Sequence, residues 1–268
     1  MSVVQAGLAF RVARPIDDFS ALLLRIHARP VEELVQPSQE GFDLRRPGDI
    51  MVQTFHDACF ICNLALGLSA IQAGTTETTR LHAALGAPAT VLAFCHDDAH
   101  GRHGYALVTR GRMVRRRLQT AAGVDPRGGS AARPGSSDAA PGREAPGPTP
   151  AGLPPPSRLA QVHEQGSPQP FERRWLSASS FIETPETPDA APRRVYYLGD
   201  REILVPESAL TARLLHDGLE ALLGVCPWDS LITPRYRFFR IAGAANLADS
   251  AQLSQPPRAS PWWRRLWR

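Results

Sequence analysis

Residues 89–118, ATVLAFCHDDAHGRHGYALVTRGRMVRRRL, constrain the fold more than any other stretch, because they carry the register of three consecutive strands. The apolar run at 89–95 reads as a buried strand, a loop rich in histidine and aspartate follows, and a hairpin turns at Arg110-Gly111. A two-residue turn of the primed type, with Gly111 supplying positive φ, pairs Thr109 with Arg112 and sets every pair outward from there. Leu107 is then expected to face Val114, Tyr105 to face Arg116 and His103 to face Leu118. These pairs share one side of the sheet, so Arg116 falls between two apolar neighbours and needs a partner. One reading is a recessed polar pocket in which His103, Tyr105 and Arg116 bind an anionic ligand. The other is an inward charge that protects an edge strand from pairing with another chain. A three-residue turn would set Tyr105 against Arg115 instead.

The loop concentrates the chain's metal-ligating chemistry. Cys95, His96, Asp97, Asp98, His100 and His103 put six potential ligands into nine positions. Neutral imidazoles with a carboxylate suit zinc or another divalent ion, and His96, Asp98 and His100 are the expected metal ligands. Their spacing matches no rigid metal motif, and a polar surface loop accounts for the same composition. Cys59-Phe-Ile-Cys62 has the spacing of a redox pair or half a zinc knuckle, but strand residues three apart point to opposite faces. Those thiols are expected to be buried and structural. Of three His-Asp dipeptides only His216-Asp217 falls on an expected helix, and neither a Gly-rich phosphate loop nor a Gly-x-Ser-x-Gly elbow occurs. No cofactor is expected beyond a divalent metal.

Along the chain, 3–12 reads as a first strand, followed by a helix from Pro15 with Ile16, Phe19, Leu23 and Ile26 on one face. Short β-type runs at 50–55 and 58–64 form a second hairpin, and 75–85 is a helix closed by Gly86. Later, 172–176 and 194–198 read as strands. A helix opens at Pro206-Glu207, carries a leucine stripe from Leu210 to Leu223 and stops at Gly224, and 235–241 returns as a last strand. The expectation is an α+β fold: a single mainly antiparallel sheet with about three helices.

Residues 123–170 are rich in Pro, Gly and Ala with hardly an aliphatic side chain, so they cannot offset the entropy of ordering and read as a disordered linker or inserted loop. The chain therefore divides into 1–122 and 171–241 as two parts of one domain, the insertion between them, and a tail at 242–268. That tail ends PWWRRLWR, and Trp262, Trp263 and Trp267 beside arginines have the chemistry of a protein-partner anchor or a weak peripheral membrane contact. All thirty basic residues are arginine, scattered rather than clustered, so no specific nucleic-acid signal accompanies the net charge of +4. No signal-like leader opens the chain, the longest apolar run at 58–73 is short for a membrane span, and four cysteines make no disulfide scaffold. A cytoplasmic location is expected.

The run FCHDDAHGRHGYALVTRGRMVRRR resembles the central hairpin of a bacterial family of uncharacterised, domain-of-unknown-function proteins, in which a strand ending in an aromatic and a histidine leads into a Gly-Tyr-Ala strand, a glycine turn and a basic strand. The later helix and the strand with Tyr236 and Phe239 are similar to that family's ending, so the resemblance covers about half of the chain. It implies an α+β fold and attaches no activity. The insertion and the aromatic-basic tail depart from the family's pattern. The function expected is a non-enzymatic interaction or ligand-sensing module of a bacterial cytoplasmic protein. The alternative is a metal-dependent hydrolase acting on an anionic substrate through residues 96–103.

Overall fold

In the computed structural model, residues 4–38, 40–120, 161–184, 192–199 and 203–243 are described. The tail tryptophans Trp262, Trp263 and Trp267 and most of the 123–170 stretch lie outside them. The fold is α+β.

Strands β1 (Val4–Arg11), β2 (Val31–Leu34), β3 (Asp49–Phe55), β4 (Ala58–Cys62), β5 (Thr90–Asp97), β6 (Arg102–Thr109), β7 (Arg112–Thr120), β8 (Gln161–Gly166) and β12 (Arg235–Ile241) form one sheet. Its order is β2-β12-β3-β4-β1-β5-β6-β7-β8, and every neighbouring pair is antiparallel. A second, three-stranded sheet joins β9 (Ser179–Glu183), β10 (Arg193–Leu198) and β11 (Ile203–Pro206), so the expected single sheet is in fact two. The described residues hold five α-helices where about three were expected: α1 (Phe19–His27), α2 (Leu64–Gln72), α3 (Thr75–Ala84), α4 (Pro170–Leu176) and α5 (Glu207–Leu223).

The large sheet is buried on both sides, which explains the unbroken apolar runs in β4 and β5. On one side Leu8, Ile61, Val91, Ala93 and Ala106 meet apolar side chains of α1, α2 and α3. On the other, Phe60, Leu92, Phe94, Tyr105 and Leu107 meet Trp175 of α4 and the α5 stripe of Leu210, Leu214, Leu215, Leu219 and Leu223. Each of those leucines is almost fully buried and contributes about 1.5–3 kcal/mol relative to exposure. Cys59 and Cys62 fall in opposite cores, as strand geometry requires, and burial pushes the Cys59 thiol up to about 12.

Three elements differ from the sequence reading. The run at 58–64 stops as a strand at Cys62, because Asn63 caps α2 by accepting from the Leu66 N–H at 2.9 Å. Residues 172–176 are helix rather than strand: Pro170 occupies the first turn, and the Glu172 carboxylate accepts from the Gln169 N–H at 2.6 Å. Regular structure lies within the expected insertion, since β8 and the start of α4 come before residue 171.

Candidate functional site

The hairpin turns where expected, with Arg110 at φ 50 and Gly111 at φ 76, and Thr109 pairs with Arg112. The register then departs from a regular ladder. A bulge between Leu107 and Val108 leaves Val114 unpaired, so Leu107 faces Arg115, Tyr105 faces Arg117 and His103 faces Gln119. The bulge lies against Gly166 of β8, whose φ is +82 and where a Cβ would stand 2.1 Å from the Val114 carbonyl oxygen. Only glycine fits there, and the neighbouring strand thereby helps to hold the bulge.

The one-residue shift moves Arg116 to the side of the sheet opposite Tyr105. It faces α2, where it donates to Gln165 Oε1 at 2.8 Å and to the Ile71 carbonyl at 3.5 Å. The expected His103, Tyr105, Arg116 pocket is therefore not assembled, because two of its members share one side and the third lies on the other. The inward arginines are Arg115 and Arg117. Glu172 lies at the centre of their network, accepting from Tyr105 Oη at 2.5 Å and from Arg115 Nε at 2.9 Å. Arg115 also reaches Glu164 at 2.8 Å and the Gly166 carbonyl at 3.0 Å, while Arg117 pairs with Glu164 and donates to Thr211 at 2.9 Å. Burial and the Glu172 carboxylate hold the Tyr105 phenol protonated. For Arg115, burial opposes the charge, and the bonds from Glu172 and Glu164 outweigh it. The network is closed on itself, with both charges of each sign compensated, and is structural rather than receptive.

The polar groups that remain open lie at the far end of the same side. His96 is one residue from the end of β5 and His103 one residue into β6, and the two stand directly opposite each other in the register. They are strand residues rather than members of a loop. Between them a single 3₁₀ turn, Asp98–His100, swings Asp98 over both rings. His96 Nε2 lies 3.5 Å and His103 Nε2 3.9 Å from the Asp98 carboxylate, and suitable ligand atoms of all three residues lie within 4.8 Å of one another. Two ligand atoms at the corners of a tetrahedral zinc site stand about 3.4 Å apart, given bonds of 2.0–2.2 Å. The spacing is close to what an ion needs, with small inward movement. His100 does not join them: its Nδ1 bonds the fully buried Asp97 at 2.9 Å, and Arg102 meets the same carboxylate at 3.1 Å. Strand alternation separates Asp97 from His96 and Asp98, so the expected trio loses His100 and gains His103.

No family model, curated protein or solved structure matches this chain.

The surroundings of the trio come from the end of α5 and the segment after it. Trp228 stacks on His96 with ring centroids 4.6 Å apart and planes 7° from parallel, and His216 Nε2 bonds Asp229 at 3.0 Å. The His96 and His103 rings lie 5.0 Å apart. Burial lowers the pKa of both imidazoles, with Asp98 and Asp97 opposing the shift and, at His103, the neighbouring His96 adding to it. Both are therefore neutral at neutral pH, as metal ligation requires. Asp98 is half-exposed, so an ion here meets solvent. Sequence reasoning noted His216 only as part of a His-Asp dipeptide and missed Trp228 and Asp229, because nothing in their local pattern places them near a strand more than a hundred residues earlier.

Proposed function

We propose that this protein is a non-enzymatic ligand-sensing module whose ligand is a divalent transition-metal ion held by His96, Asp98 and His103. The convergence of two neutral imidazoles and one carboxylate at the end of β5 and β6 carries this reading. Two nitrogens and one oxygen suit zinc or iron(II), whereas calcium and magnesium prefer all-oxygen sites. Three protein ligands with one facing solvent leave positions for water, so the ion is reached and released from outside.

The ring atoms away from Asp98 support exchange rather than permanent retention. His96 Nδ1 and His103 Nδ1 are buried and have no hydrogen-bond partner among the described residues. Ligation through Nε2 forces the proton onto Nδ1, where each buried donor without an acceptor costs about 1–3 kcal/mol. Affinity is reduced accordingly, which favours reversible sensing over a structural role. A hydrolase reading would need a cation beside the ion to hold an anionic substrate. Arg116, the candidate for that role, lies on the other side of the sheet.

The test is calorimetric titration of metal-stripped, tag-free protein with Zn²⁺. One ion per chain is expected, with affinity reduced at least about 10-fold by His96→Ala, His103→Ala or Asp98→Asn and unchanged by His100→Ala. Absence of binding, or binding that survives the His96→Ala/His103→Ala double substitution, refutes the proposal.

A further inference from the structure

We infer that Trp228 is a positioning residue of this metal centre: its indole plane holds the His96 imidazole with Nε2 toward Asp98, in place of the hydrogen bond that ordinarily orients a ligating histidine. The inference rests on the metal reading above. A metal-bound imidazole usually donates its second N–H to a carboxylate or carbonyl, which fixes both the tautomer and the ring plane. His96 Nδ1 is buried without such a partner among the described residues, so no hydrogen bond there fixes rotation of the ring. The contact that defines the plane is the stack on Trp228, at 4.6 Å and 7°. Nearly parallel stacked rings resist tilting, because turning one out of its plane drives its edge into the other's face.

Trp228 is itself anchored on two sides. Its ring meets Phe94, two residues before His96 on the same side of β5, at 6.2 Å. Its backbone belongs to a turn in which the Asp229 N–H donates to the Cys226 carbonyl at 3.2 Å, and Cys226 is fully buried. The Asp229 carboxylate then bonds His216 of α5, which ties the turn to the helix. The segment therefore presents a flat surface to a ligand ring that has no hydrogen bond at Nδ1 among the described residues. His103 meets its neighbour His96 at a tilt of 48°, so the order imposed on His96 passes to the second ligand through ring contact.

The experiment titrates Zn²⁺ into metal-stripped full-length protein carrying Trp228→Phe or Trp228→Leu, with the metal-free thermal midpoint measured for each. Loss of an outer-shell contact weakens metal binding roughly 10–100-fold, so Trp228→Leu is expected to bind that much more weakly, while Trp228→Phe, which keeps a flat ring, stays within about 3-fold of wild type. Equal metal-free midpoints for the two variants accompany this result, because both fill similar space. Wild-type affinity in Trp228→Leu, or equal weakening in Trp228→Phe, overturns the positioning role while leaving the metal centre standing. No Zn²⁺ uptake by wild type refutes the metal centre itself, and the positioning role with it. A second measurement does not depend on Trp228→Leu folding. The first equivalent of Cu²⁺ is expected to quench a tryptophan emission component that Trp228→Phe lacks, and undiminished quenching in Trp228→Phe places the ion elsewhere and overturns the inference.

Discussion

Removal of the Glu172 side chain tests the account of the buried arginine network directly. The carboxylate is fully buried and accepts from Tyr105 Oη at 2.5 Å, Arg115 Nε at 2.9 Å and the Gln169 N–H at 2.6 Å. Glu172→Ala therefore leaves a buried phenol and a part-buried N–H without an acceptor, and a buried guanidinium with half its counter-charge. Glu164 and the Gly166 carbonyl still hold Arg115, which keeps the loss within the usual range for breaking a buried pair, about 3–5 kcal/mol. At roughly 2–4 °C of Tm per kcal/mol for a chain of this size, a mid-range cost of about 4 kcal/mol lowers Tm by about 8–16 °C. The matching variant replaces the buried trio at once, Tyr105→Phe with Arg115→Met and Glu172→Leu, leaving Arg117 paired with Glu164. Because desolvation of the ions nearly cancels their attraction, that replacement is expected to stay within about 1 kcal/mol of wild type in urea denaturation. If Glu172→Ala costs less than about 1 kcal/mol, or the triple replacement costs as much as the single one, the network is not held together as described.

Arg116→Leu is expected to change stability by no more than about 1 kcal/mol in the same assay, since the side chain is only partly buried and bonds one side-chain amide and one distant carbonyl. A loss comparable to that of Glu172→Ala would restore Arg116 as the inward arginine. Gly166→Ala is expected to cost at least about 2 kcal/mol, because its Cβ would stand 2.1 Å from the Val114 carbonyl at a φ of +82; an unchanged melting temperature would remove the bulge's dependence on β8. His27 of α1 is buried, and desolvation lowers its pKa from 6.5 to about 4. A base held neutral in the folded state binds its proton more readily when unfolded, so this contribution is complete above pH 6.5 and lost as pH falls toward 4, amounting to roughly 3 kcal/mol at about 1.4 kcal/mol per unit. His27→Leu is expected to flatten the stability profile between those pH values without abolishing the slope, because His96 and His103 are lowered in the same direction; an unchanged profile would show that His27 is not held neutral.

Elements whose pattern is local were legible in the sequence. The α5 stripe, the span of α3 and the turn at Arg110-Gly111 each declare themselves through neighbours a few residues away, and all three lie within a residue of where they were expected, although α3 is capped by Gly74 without a side-chain bond. Helix α2 did not, because a helix nearly apolar all round carries no contrast between faces, and only Asn63 marks its start. Helix α4 was hidden for a different reason. Its run at 172–176, ERRWL, is too short to show a helical period, and the Glu172 carboxylate that fixes its first turn also pairs with an arginine 57 residues earlier.

The same long-range dependence governs the site. Counting outward from a regular turn puts Arg116 beside Tyr105, and a single unpaired residue, Val114, reverses that parity for the rest of β7. What makes the reversal favourable lies in Glu164 and Gly166, in a stretch whose composition suggests no fold at all, and in Glu172, in a run read as a strand. Facing Tyr105, Arg115 and Arg117 find two carboxylates; in the regular register the same side of the sheet would receive Arg116 alone, and those carboxylates would be left one arginine short. At the other end of β6 the correction runs the opposite way. His96 and His103 join because strands pair, whereas His100, nearer in sequence to Asp98, is drawn off to Asp97 by its position in the turn. Proximity along the chain pointed to His100 as the third member, whereas the pairing of β5 with β6 brings His103 beside His96 and Asp98.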